Sequence, residues 1–211
     1  MSSDVMQSPV PANRARSRAT LLLLFGLFAL PVAVSYLAFF VFEDWRPSGT
    51  VNHGELIEPP RELRFAPLKT EQGAALTEDF LQGKWTYVLL AGPDCGEVCH
   101  EQLYLMRQLR LAQGKNIDRV QRLLLVQDMA PALRAELQEH YPGLVIGSGT
   151  AAGLRGLKEQ FRVEAGGDPL REHRLYLVDP MGNLMMRYVP ADEPKGIVRD
   201  LERLLKISYV G

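Results

Sequence analysis

Cys95 and Cys99 are the only cysteines in this chain. Four positions along a helix return to the same face, with the two backbones roughly 6 Å apart. That lies at the long end of what a disulfide spans. A first cysteine placed ahead of the helix has the freedom to close the bond, so the pair can cycle between dithiol and disulfide. Two thiolates can also hold a soft metal ion. The plain alternative is a structural bridge or two small buried side chains. A bridge over so short a loop removes little unfolded-chain entropy and stabilises poorly.

The elements around the pair favour chemistry. Trp85-Thr86-Tyr87-Val88-Leu89-Leu90 reads as a buried strand, and Gly92-Pro93-Asp94 is a turn. Cys99, Leu103, Met106 and Leu109 then recur on one helical stripe. The cysteines therefore sit where a strand turns into its helix. Ligands gather at the carboxyl ends of strands in α/β sheets. The free N–H groups and partial positive charge of a helix N-terminus favour thiolate over thiol.

The next elements continue the alternation. Arg122-Leu123-Leu124-Leu125-Val126 reads as a second buried strand, parallel to the first through a right-handed crossover. A helix is expected from Pro131 to Glu139, a short strand at Leu144-Val145-Ile146, and a helix capped by Thr150 with Leu154, Leu157 and Phe161 inward. Strands at 175–178 and 184–189 flank Asp179-Pro180-Met181-Gly182, a type I turn and so a hairpin. A last helix opens at Pro194. This order suits an α/β, thioredoxin-like domain, a central mixed sheet flanked by helices.

Charge is segregated along the 211 residues, which sum to −1. That balance excludes a partner such as bulk nucleic acid. Residues 19–42 carry no charge and are long enough to span a bilayer as a single N-terminal transmembrane helix. The stretch is longer than a signal-peptide apolar region and lacks a good cleavage site. Arg14, Arg16 and Arg18 precede it, and Glu43 and Asp44 follow. The positive-inside rule then keeps residues 1–18 cytoplasmic, as a disordered tail, and exports the rest. In a bacterial inner membrane the domain lies in the periplasm, where disulfides persist. Pro47, Gly49, Gly54, Pro59 and Pro60 suggest an extended linker over 43–63. The remaining 64–211 form one domain.

Phe65-Ala66-Pro67-Leu68-Lys69-Thr70, Leu76-Thr77-Glu78-Asp79-Phe80, Gly83-Lys84-Trp85, Cys95-Gly96-Glu97-Val98-Cys99 and Tyr176-Leu177-Val178-Asp179-Pro180-Met181-Gly182 stand in this order along the chain. Together these segments resemble the Sco/SenC family of membrane-anchored, thioredoxin-like proteins of cytochrome c oxidase assembly. The resemblance implies copper held by Cys95, Cys99 and a histidine on the strand before the late hairpin, for which His173 is the candidate. It also implies partners among respiratory oxidase subunits or their assembly factors. Three positions depart from the family's pattern. His100 stands where a proline is usual after the second cysteine, and Gly92-Pro93-Asp94 replaces an aromatic-Thr lead-in. His173 lies two residues closer to the Asp-Pro turn, which moves an imidazole roughly 6–7 Å along a strand.

Other candidates have simpler readings. His100 points about 100° away from Cys99 around a helix, so a solvated side chain is expected, the alternative being a thiolate-tuning group. His53 reads as a solvated linker residue, His140 as part of a surface turn, and Met106, Met181, Met185 and Met186 as packing. Three functions follow: copper binding or delivery in oxidase assembly, a metal-free periplasmic thiol–disulfide oxidoreductase, and a non-catalytic interaction domain at the membrane.

Overall fold

The computed structural model describes residues 14–40, 51–65, 68–70, 72–163, 166–208 and 210. The chain divides into two compact units, one up to Val51 and one from Asn52.

The first unit contains helix α1, Arg14–Phe40, with Pro31 inside it. Its stretch Ser17–Leu37 is 21 residues long, with none of it buried, and apolar enough to cross a membrane. The disordered tail expected over 1–18 is corrected at its end. Arg14, Arg16 and Arg18 continue the helix, as arginine's good helix propensity allows; positions 1–13 lie outside the described residues. So do 41 and 42, the last two positions of the expected span.

The second unit is a mixed sheet with helices on both faces. Its strands are β1 Glu55–Glu62, β2 Leu68–Thr70, β3 Ala75–Leu76, β4 Trp85–Ala91, β5 Val120–Gln127, β6 Leu144–Gly149, β7 Leu175–Val178 and β8 Asn183–Tyr188. Their order is β1-β8-β7-β4-β5-β6-β2-β3. The neighbours β4, β5 and β6 run parallel, and the other pairings are antiparallel. The helices are α2 Glu97–Ala112, α3 Pro131–His140, α4 Ala151–Phe161, α5 Pro169–Glu172 and α6 Pro194–Ile207.

Strand alternation builds two cores. Tyr87, Leu89, Leu124 and Val126 pack with Cys99, Leu103 and Met106 of α2, Leu133 and Leu137 of α3, and Ile197 and Leu201 of α6. On the other face Val88, Leu90, Leu123 and Leu125 meet Leu154, Leu157 and Phe161 of α4 and Leu170 of α5. The Thr150 cap is present, its hydroxyl accepting from Gly153 N at 3.2 Å. In the late hairpin Gly182 N donates to Asp179 O at 3.0 Å, with Gly182 at φ +89.

The linker over 43–63 needs correction. Residues 55–62 are β1, an edge strand paired with β8, and Ile57 and Leu63 are buried. Two of the prolines that suggested a linker, Pro59 and Pro60, fall between Leu56 and Arg61, where the register shifts; positions 43–50 lie outside the described residues. Edge strands and irregular positions are where a sheet tolerates proline.

Candidate functional site: a disulfide at a strand-to-helix turn

Cys95 and Cys99 are joined by a disulfide with their Cα atoms 5.2 Å apart, inside the ordinary range. β4 ends at Ala91, a turn carries the chain outward, and Gly96 is the N-cap of α2. Cys95 therefore precedes the helix and is free of its geometry, while Cys99 sits in the first turn. The helical stripe draws Cys99 into the core, and its exposure is 0%. Cys95 is half-buried against the same core, so one cysteine is partly open to solvent and the other is closed off. Asp94 and Glu97 stand exposed on either side of Cys95, and their negative charge opposes the field of the helix end.

His100 is not simply solvated. Its Nδ1 lies 3.6 Å from Glu136 Oε1, which links α2 to α3. The helix turn that aims it away from the sulfurs aims it at that carboxylate.

His173 is expected on a strand and is found outside one. It is the C-cap of α5, in the left-handed region at φ 47, because Pro169 and the Asp168 cap start a helix just before it. The antiparallel register Leu89↔Leu175 sets it at the carboxyl end of β4, the same end of the sheet as the Cys95 turn. Its Nδ1 is buried without a partner, and burial lowers its pKa below the ordinary value.

Two thiolates and an imidazole are the right donors for copper by softness. With the disulfide closed, each sulfur is bonded to the other. Among the described residues, no three His, Cys, Asp or Glu side chains gather where they could hold a metal ion. The structure joins Cys95 and Cys99 in a disulfide and sets His173 at the same end of the sheet, and the closed disulfide leaves neither sulfur as a thiolate to hold copper. The methionines are dispersed: Met106 and Met186 are buried, and Met181 is 74% exposed.

A buried polar cluster escaped the sequence reading. Asp200 of α6 is 2% exposed. Its carboxylate accepts from the backbone N–H of His53 at 2.9 Å and of Gly54 at 2.9 Å. It also pairs with His53 Nδ1 at 3.1 Å. His53 is exposed, as expected of it, and is also tied to Asp200. The Tyr87 and Tyr188 hydroxyls lie nearby, and burial, reinforced by the Asp200 charge, holds both pKa values well above the ordinary tyrosine value. The signal available was an Asp on the apolar stripe of α6.

A family model described as transmembrane-like, thioredoxin-like, C-terminal domain matches residues 85–208, from β4 to the end of α6. The chain belongs to this family. Solved structures similar to it include copper-bound yeast Sco1, 21% identical with TM-score 0.60, covering 72% of this chain and 96% of that one. Copper-bound ScoI from Bradyrhizobium japonicum is 22% identical with TM-score 0.54, covering 68% and 98%. A thiol:disulfide interchange protein from a Bacteroides species is 13% identical with TM-score 0.53, covering 71% and 91%. At these identities the likeness is one of fold, and at that level the Sco/SenC resemblance of the sequence is borne out. No curated protein matches the chain in sequence.

Proposed function

We propose that this family member is a thiol–disulfide protein of Sco-like fold, anchored by α1 in a bacterial inner membrane with its domain in the periplasm. Its substrates are the copper-site cysteines of a respiratory oxidase during assembly. The observation that carries the reading is the asymmetric disulfide, with Cys95 at the surface and Cys99 buried beneath it. In the reduced protein the Cys95 thiolate attacks a substrate disulfide, one substrate sulfur leaves as thiolate, and a mixed disulfide forms. Cys99 then attacks Cys95, closing the Cys95–Cys99 bond and releasing the second substrate thiolate. Two electrons pass to the substrate, which leaves as a dithiol.

The test is a Cys99→Ser variant expressed in the membrane, which cannot resolve the mixed disulfide. A trapped adduct with an oxidase subunit or an assembly factor supports the proposal. Absence of any adduct, with full function in a Cys95→Ala/Cys99→Ala strain, refutes it and favours a non-catalytic interaction domain.

A second reading, copper as cargo, is favoured by the buried, unpartnered Nδ1 of His173 at the cysteine end of the sheet and by the copper-bound state of similar structures. It requires the reduced pair. Stoichiometric Cu(I) binding by the reduced domain, lost in Cys95→Ser/Cys99→Ser and weakened in His173→Asn, supports it. Binding that ignores His173 removes that residue from the ligand set.

A further inference from the structure

Arg122 enters the core side of β5 as a charge without a counter-ion among the described residues. It is 3% exposed. Its Nη2 donates to the Pro142 carbonyl at 2.7 Å, while Nε and Nη1 are buried with no partner. Burying an isolated charge costs several kcal/mol unless something pairs with it. The neighbours that flank it are cations. Arg110 Nε holds the Val120 carbonyl at 2.7 Å, and Val120 shares a sheet face with Arg122, two residues on. Arg107 lies on the same side of α2, three residues before Arg110, and is exposed. Glu136, which like Arg107 acts on Tyr141, is engaged with His100. Burial, then Arg110 and Arg107, lower the Arg122 pKa to about 10, still far enough above neutrality that the charge persists.

We propose that Arg122, Arg107 and Arg110 form a binding site for a small oxyanion, either a phosphate-type ion or a carboxylate. Arginine donors suit such ligands. The cover is thin. Pro142 and Gly143 are exposed, and a Cβ added at Gly143 would stand 3.7 Å from Arg122 Nη2. The site opens when that turn lifts. It lies at the amino ends of the parallel strands, away from the Cys95 turn, which follows the carboxyl end of β4.

The test is thermal unfolding of the full chain in detergent, with inorganic phosphate, sulfate or acetate compared with chloride at matched ionic strength. Phosphate or acetate at millimolar concentration is expected to raise the midpoint, and their ranking identifies the ligand type. Arg107→Gln weakens the apparent affinity about tenfold, as loss of one charge-assisted contact should. Arg122→Met abolishes the response and is no less stable than the natural chain in chloride. The proposal is overturned if no oxyanion acts beyond chloride. It also fails if the effect needs hundreds of millimolar and is equal for all anions, an adventitious ion only, or if Arg122→Met still responds. Should Arg122→Met not fold, an unchanged affinity in Arg107→Gln overturns it.

Discussion

Asp200 holds the point at which the chain enters the domain, and removing its carboxylate has a calculable cost. In Asp200→Ala the buried Gly54 N–H loses its acceptor, and so does the partly buried His53 N–H. An orphaned buried donor costs about 1–3 kcal/mol and a partly solvated one about 1 kcal/mol. The His53 Nδ1 contact goes as well. The expected loss is about 2–4 kcal/mol, a large share of the 5–15 kcal/mol typical of a domain. Asp200→Asn keeps one carbonyl oxygen for the two N–H groups, and its amide can donate to a neutral His53 ring, so about half of the loss is recovered. Urea unfolding of the domain from Asn52 onward measures both variants, and hydrogen exchange reports the amides of His53 and Gly54 directly. If Asp200→Ala costs under about 1 kcal/mol, or if both amides keep their protection, the reasoning is wrong.

Gly54→Ala drives a Cβ into the buried Tyr188 ring, so a loss of about 1–3 kcal/mol is expected. Gly92→Ala, with nothing within 4 Å of the added carbon, stays within about 0.5 kcal/mol of the natural chain; thermal unfolding compares them. Burial lowers the His173 pKa in the folded state, so the unfolded chain binds the extra proton first. Stability from this source is intact above the unfolded pKa of about 6.5 and falls as pH drops below it. His173→Asn, which tolerates the left-handed backbone, removes that slope from unfolding curves taken across pH. Glu97→Gln removes a negative charge beside Cys95. At roughly 6–8 Å in water that charge is worth about 0.5–0.7 kcal/mol. The Cys95 thiol pKa in the reduced protein should therefore drop by about 0.4–0.5, read from thiolate absorbance.

Much of this architecture was legible because local pattern and tertiary role agree. The apolar run of β4, the stripe of α2 with Cys99 on it, the Thr150 cap and the Asp179–Gly182 turn each state their structure within a few residues. The misreadings come from places where distant partners decide. β1 carries two prolines and three glutamates, and only its pairing with β8 makes it a strand. The link between His53 and Asp200 spans 147 positions, which no window of sequence contains. α5 is four residues long, too short to show a period, so His173 looked like part of a strand. Arg122 lies within the apolar run of β5, and nothing in that run states where its charge goes.

The central claim is that one sulfur is presented to substrates and the other is withheld. The direct measurement is the rate at which each single-cysteine protein, reduced and folded, attacks a small aromatic disulfide. Cys99→Ser leaves only the surface sulfur of Cys95, and Cys95→Ser leaves only Cys99 at 0% exposure. Thiolate character and access set such rates. Cys99→Ser is expected to react at least about ten times faster than Cys95→Ser. Equal rates, or a faster Cys99, would contradict the account.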